Sequence, residues 1–320
     1  MRQSKSLFLL FVIVLTLFSG CHIQSNDPEV LSNNANLIAQ SNGFKTSQIK
    51  TKTFLLTNFQ KFNQNAVTVV SDKKNFKVEK NSKHIKPDEK AIASSDENSL
   101  TIYVEGDGRA FITPSLISKN PTPKNPMGLK LAVLDTSKNV AYLARPCQYT
   151  PLNLDPACHA EYWADLRFSE TVIDSMNEAI QTLKDTAKVK NLHLVGFSGG
   201  AAIVTLVAAR RNDVASIRTV AGDLDHEAMT KFHDTTPLEG SLNPKQVTKK
   251  IAHIPQQHFI GDKDPIVPLS ISESFVKSVN EDGCQGNCAK RIVLKNATHH
   301  AGWEAEWCNL LKLPLKCEVE

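Results

Sequence analysis

The 320-residue chain reads as an α/β protein built on one mostly parallel sheet with helices on both faces. Three observations predict this. From Ser99 onward, short β-branched or apolar runs alternate with longer stretches of helical periodicity, the pattern of strands joined by crossover helices. Residues 192–195, Leu-His-Leu-Val, form a short run of the kind buried on both faces of a parallel sheet. No internal repeat divides the chain, so a single domain is expected over residues 51–320.

Residues 1–20 read as a removable export signal. Arg2 and Lys5 precede an apolar run at residues 7–18, which is too short to span a bilayer but suits a signal peptide. The run ends in Leu17-Phe18-Ser19-Gly20-Cys21, which resembles the lipobox of bacterial lipoproteins, where cleavage precedes a cysteine that then carries the lipid. Ordinary secretion with an incidental Cys21 is the alternative. By the same resemblance, His22 in place of Asp favours the outer membrane. Residues 21–50, rich in Asn, Ser and Gln and with a weak helical stretch around Val30 to Ile38, are expected to tether that lipid to the domain.

Residues 53–62 look like a first strand. Residues 72–90 hold seven lysines interspersed with Asp72, Glu79, Asp88 and Glu89, a solvated surface rather than a binding patch. A strand at 100–104 stops at Glu105-Gly106-Asp107-Gly108, and another at 140–144 stops before Arg145-Pro146. Residues 169–188 carry Val172, Ile173, Met176, Ile180 and Leu183 on one helical face, with Ser169 as N-cap. There follow a strand at 192–195, a helix at 201–211, a strand at 216–221 and a helix at 245–253. A strand at 257–260, a helix at 270–279, a strand at 291–294 and a helix at 305–311 complete the series.

Composition excludes some classes of function. Hydrophobic residues are 41% and charged residues 22%, ordinary for a protein with a real core. The formal charge is +4; without Arg2 and Lys5, 35 basic residues face 33 acidic ones, a balance of +2 that suggests no nucleic-acid partner. Seven cysteines less Cys21 leave six, an even number suited to disulfides in an oxidising compartment. Their grouping suggests local bridges Cys147–Cys158, Cys284–Cys288 and Cys308–Cys317. No paired CxxC knuckles complete a tetrahedral site, so no metal is expected.

Gly196-Phe197-Ser198-Gly199-Gly200 carries the chemistry. It matches the Gly-x-Ser-x-Gly elbow, in which a strand turns sharply into a helix and presents the serine at its tip. The small residues Gly199, Gly200, Ala201 and Ala202 let that helix start close to the sheet, with unpaired N–H groups aimed at an oxyanion. A serine needs a histidine to take its proton and an acid to hold the histidine, in the chain order Ser, acid, His. Asp264, in Gly261-Asp262-Lys263-Asp264-Pro265, is the leading acid, with Asp262, Asp223 and Asp225 as alternatives. The pair His299-His300 follows the last strand, and His299 is favoured as the base. Gly199 and Asp107 are expected to supply the oxyanion N–H groups, with the Asp107 carboxylate turned away.

At this point the chain resembles α/β hydrolases carried by bacterial lipoproteins. The likeness rests on residues 103–108, on Ala144-Arg145-Pro146-Cys147-Gln148-Tyr149, on the serine elbow, on Ala221-Gly222-Asp223-Leu224-Asp225-His226, on Gly240-Ser241-Leu242-Asn243-Pro244 and on the acid loop. It implies the α/β-hydrolase fold and a Ser–His–Asp triad, but no substrate. Two departures stand out: Asp223 where Asn is usual, and Ala301-Gly302 where cysteines often follow the histidines, leaving Cys308 to pair with Cys317. Together these readings imply an exported esterase or acyl hydrolase acting on a small-molecule or acyl ester, held to the membrane by its N-terminal lipid; a serine peptidase on the same triad and a catalytically silent lipoprotein with a binding or structural role are the alternatives. No cofactor is implied. Only a small lid is expected, because about 35 residues separate the strands ending near Ala221 and starting near Gln257.

Overall fold

A computed structural model describes residues 25–62, 97–113, 115–283 and 286–318. The expected signal segment, Cys21, residues 72–90 and Cys284 lie outside the described residues. The elements in chain order are α1 (Pro28–Ser41), β1 (Lys45–Lys50), β2 (Leu55–Lys61), β3 (Ser99–Val104), β4 (Phe111–Thr113), β5 (Leu116–Ile117), α2 (Met127–Val133) and β6 (Val140–Leu143). They continue with α3 (Glu170–Ala187), β7 (Asn191–Phe197), α4 (Gly199–Ala208), β8 (Val214–Val220), α5 (His226–Phe232) and α6 (Thr248–Ile251). The series ends with β9 (Gln256–Gly261), α7 (Leu269–Asp282), β10 (Ala289–Leu294) and α8 (Trp303–Leu310).

The main sheet has eight strands in the order β1-β2-β6-β3-β7-β8-β9-β10. β6 through β10 in that order pair in parallel, while β2 joins β6, and β1 joins β2, antiparallel. Side chains alternate between the two faces, as the strand period requires. Leu100, Ile102, Val104, Leu192 and Leu194 enter one core with Val172, Ile173 and Met176 of α3 and Phe275 of α7. Tyr103, Tyr142, Val195 and Phe197 enter the other with Leu129 of α2 and Trp303 and Trp307 of α8. α4 is buried at all ten of its residues, so it carries no polar face.

Three expectations are corrected. Most of residues 21–50 is not tether: α1 and β1 occupy 28–41 and 45–50, and Leu31, Ala35 and Ala39 are buried. The weak helical stretch read at residues 30–38 falls within α1, whose buried face is only three small or medium side chains among polar ones. Cys288 pairs with Cys317, not with Cys284, because Asn287 and Glu318 exchange backbone hydrogen bonds and lay the C-terminal tail beside β10. Cys308 is therefore unpaired and exposed on α8, and the Cys308–Cys317 bridge does not form. Cys147–Cys158 pairs as expected. Ser169 stands before α3, but its side chain makes no capping bond and its Oγ is buried without a partner.

Candidate active site

Strand β7 delivers Ser198 to the C-terminal edge of the parallel strands, where open α/β sheets hold their sites. Ser198 adopts φ 50° and ψ −122°, a left-handed conformation that a side-chain-bearing residue adopts only when the surroundings hold it, at about 1–3 kcal/mol. Two contacts impose it. A Cβ at Gly196 would lie 2.4 Å from the Gly200 carbonyl oxygen, and one at Gly200 would lie 2.4 Å from the Val104 oxygen. The helix therefore starts directly over the strand, and Ser198 is left at the crest.

The other two side chains arrive from the ends of β9 and β10. His299 Nε2 is 3.0 Å from Ser198 Oγ, and His299 Nδ1 is 2.9 Å from Asp264 Oδ2. Asp264 Oδ1 accepts the N–H groups of Ile266 at 2.8 Å and Val267 at 2.9 Å. Burial opposes ionisation of Asp264, but these bonds and the His299 ring outweigh it and hold the carboxyl below its ordinary range. The histidine loop is fixed by Trp303, whose Nε1 donates to the carbonyls of Thr298 at 2.9 Å and His299 at 3.2 Å.

The alternative residues have other partners. Asp262 Oδ1 accepts from Asn296 N–H at 2.6 Å and ties the acid loop to the histidine loop. Asp225 caps α5 through Ala228 N–H and accepts from Asn243 at 3.0 Å. His300 packs edge-on to His299, with ring centroids 4.7 Å apart; burial first, then the neighbouring His299, keeps it below the usual imidazole range. Asp223 lies behind the serine, its N–H donating to the Ser198 carbonyl at 3.1 Å. Its Oδ1 is buried without a partner, and burial together with the Asp107 charge pushes its carboxyl up to about 7.

Gly106 and Asp107 pass directly against the serine: a Cβ on Gly106 would meet Ser198 Cβ at 3.1 Å. The N–H groups of Asp107 and Gly199 have no acceptor among the described residues, and Gly199 opens α4, whose dipole adds partial positive charge there. The Asp107 carboxylate lies between Arg145 Nη1 and Arg167 Nη1, the latter at 3.0 Å, and covers the Cα of Gly199. Burial opposes its ionisation, and the two guanidiniums outweigh burial and hold it below the usual carboxylate range.

Arg145 and Arg167 were not singled out from the sequence, although Arg145 stands within one of the motifs that carry the family likeness. Gln148, in the same motif, donates from Nε2 to the Gly106 carbonyl at 2.9 Å and holds the loop from below. Glu105 is also structural: its carboxylate accepts from Gly106 and Gly128 N–H, each at 3.1 Å, and from Tyr142 Oη at 3.0 Å. Burial nevertheless raises it above its ordinary range. Glu105, Gly106, Asp107 and the serine open onto a cleft of about 400 Å³ walled by Phe197, Ile266, Pro123, Arg109 and both histidines. Among the described residues no group of three or more His, Cys, Asp or Glu is placed to hold a metal.

Comparison with known proteins agrees with this fold. A family model described as serine hydrolase (FSH1) matches residues 155–300, the stretch that contains Ser198, Asp264 and His299. No curated protein matches the chain in sequence. Among solved structures, Est1E from Butyrivibrio proteoclasticus superposes with a TM-score of 0.51 at 13% identity, covering 83% of this chain and 96% of that one. The Pyrococcus furiosus esterase Pf2001 gives 0.52 at 12% identity, over 90% and 94%. An esterase domain of a Rhodothermus marinus protein gives 0.50 at 12% identity, over 84% and 95%. At such identities the structural likeness speaks for the fold. The chain has the α/β-hydrolase fold of these structures, and its residues 155–300 match the serine hydrolase family model.

Proposed function

We propose that the protein hydrolyses carboxylic esters through an acyl-enzyme formed on Ser198. The observation that carries this reading is the hydrogen-bonded line from Asp264 through His299 to Ser198, with distances of 2.9 and 3.0 Å, at the wall of an open cleft. In the first step the Ser198 proton passes to His299 Nε2 as Oγ bonds to the ester carbonyl carbon. The oxyanion so formed is stabilised by the N–H groups of Gly199 and Asp107. Collapse breaks the ester C–O bond, and the departing alkoxide takes the proton from His299. Water then repeats the sequence on the acyl-enzyme and releases the acid. Asp264 holds the Nδ1–H tautomer and stays ionised throughout, consistent with its depressed carboxyl.

The same reading includes export and anchoring through a lipid on Cys21, which the lipobox-like sequence and the disulfides support. The test is turnover of p-nitrophenyl butyrate by the wild type and Ser198→Ala, with fluorophosphonate labelling of both. Loss of turnover and labelling in a folded Ser198→Ala is expected. Retained turnover in a pure sample would sink the reading.

A further inference from the structure

Exposed apolar side chains recur on the segments that border the cleft. Of the eleven large hydrophobic residues exposed on the described surface, Ile266 lines the cleft, and Ile112, Leu116, Ile117, Phe232 and Leu269 stand on segments joined to its lining. Ile112, Leu116 and Ile117 belong to the β4–β5 hairpin, an excursion between Arg109 and Pro123, both of which line the cleft. The hairpin's base is fixed: Ser118 N–H donates to Ala110 at 2.9 Å, Trp163 Nε1 donates to Ser118 at 3.0 Å, and Arg167 covers Phe111. Ile266 lines the cleft itself, and its carbonyl is bonded at 2.7 Å by His233, the neighbour of Phe232. Single exposed apolar residues need no explanation; a cluster around a site's opening marks a surface that something covers.

The path of the chain identifies what covers it. Arg109 Nη1 donates to the Asn26 carbonyl at 3.2 Å, so the N-terminal segment leaves the domain at the rim of the cleft. Asn26 lies five residue steps beyond Cys21, and at about 3.6 Å each these reach at most about 18 Å. A lipid on Cys21 would keep the mouth of the cleft within that distance of the bilayer. Arg109 and Lys119 flank the hairpin in sequence, two residues before β4 and two after β5, which suits anionic headgroups.

We propose that this face lies on the membrane. The hairpin enters the boundary between headgroups and acyl chains through Ile112, Leu116 and Ile117, and the cleft takes ester-bearing lipids presented at an anionic bilayer surface. The proposal rests on the ester-hydrolase reading and on the lipid anchor. Its test uses the chain from residue 22, which retains every described residue and carries no lipid, with vesicles of phosphatidylcholine alone or with phosphatidylglycerol. Wild type is compared with the triple variant Ile112→Ser, Leu116→Ser, Ile117→Ser on two substrates: dissolved p-nitrophenyl butyrate and p-nitrophenyl palmitate carried in the vesicles.

Wild type is expected to co-sediment with the anionic vesicles and hydrolyse the vesicle-borne ester. The variant should lose about tenfold or more in both, with turnover of the dissolved ester within about twofold of wild type. Wild type that stays in the supernatant, or a variant equal to it on vesicles, overturns the proposal. So does an equal loss on the dissolved ester, which would make the hairpin a support of the cleft. A wild type that turns over neither ester refutes the hydrolase reading and the lipid substrate with it, while co-sedimentation still decides which face meets the membrane.

Discussion

Replacing Gly199 with Ala sets two physical effects against each other. Gly199 is the first residue of α4, and by helix propensity alone alanine there would stabilise the protein by up to about 1 kcal/mol. The packing says otherwise. The new Cβ would lie 2.0 Å from Asp107 Oδ1 and 2.7 Å from Arg145 Nη1. Arg145 has no room to retreat, since its side chain is 4% exposed and its guanidinium stacks on Phe168. The methyl group must therefore expel the Asp107 carboxylate from between Arg145 and Arg167. Stripping a buried ion pair of one partner costs about 3–5 kcal/mol. The Asp107 side chain is 24% exposed, so the lower end, about 3 kcal/mol, applies. That corresponds to a fall in Tm of roughly 6–12 °C. The displaced loop also carries the Asp107 N–H out of line with the carbonyl of the substrate, and losing one oxyanion donor lowers kcat by about 10²–10³. Circular-dichroism melts and steady-state turnover of p-nitrophenyl butyrate measure both effects. A Gly199→Ala protein that melts at or above the wild-type temperature with kcat within about threefold of it would refute this account of the oxyanion loop.

Three further outcomes are expected. Asp223 has its folded carboxyl raised from 3.8 to about 7, so the native state holds a proton that the unfolded chain has released. Its contribution to stability is present below about pH 4 and is lost as pH rises toward 7, by roughly 4 kcal/mol at most. Asp223→Asn should therefore raise Tm relative to wild type at pH 8 and leave it nearly unchanged at pH 4; an equal gain at both pH values would contradict the assignment. His299→Ala should abolish fluorophosphonate labelling while His300→Ala retains it, because only His299 reaches Ser198; the reverse pattern in folded variants would move the base to His300. Non-reducing peptide mapping should link Cys147 to Cys158 and Cys288 to Cys317, with Cys308 alkylated in the folded protein. Detection of a Cys308–Cys317 peptide would overturn the C-terminal pairing.

The parallel strands and the helices of the second half were legible because each is a local pattern. Residues 192–195 and 257–260 announce themselves as buried runs, and they lie within β7 and β9. Boundaries moved by a few residues where the cue was weak: the helix read at 245–253 begins as a 3₁₀ turn at Pro244–Val247 before α6. At the N-terminal end the weak helical stretch at 30–38 falls within α1 and the strand read at 53–62 contains β2, but β1 went unmarked. β1 reads Lys-Thr-Ser-Gln-Ile-Lys and sits at a sheet edge, so one buried residue, Ile49, is all its sequence has to show. α2 and α5, seven residues each, are shorter than a period-based reading resolves.

The site divides in the same way. Sequence alone marked Ser198, because a glycine-flanked turn is a steric requirement written into five consecutive residues. It ordered Asp264 and His299 after the serine, because each follows a strand of a sheet whose loops open at one edge. It paired Cys317 with Cys308 rather than with Cys288, since the true pairing depends on the tail that the Asn287–Glu318 bridge lays beside β10. Nor could it find the Arg145–Asp107–Arg167 cluster. Those residues are separated by 38 and 60 positions from Asp107, and only the folded backbone brings three charges together under Gly199. Local sterics and hydrophobic period are encoded along the chain. Charge pairing, disulfide choice and the apolar rim of the cleft are properties of surfaces, and surfaces exist only once the sheet has brought distant loops to one edge.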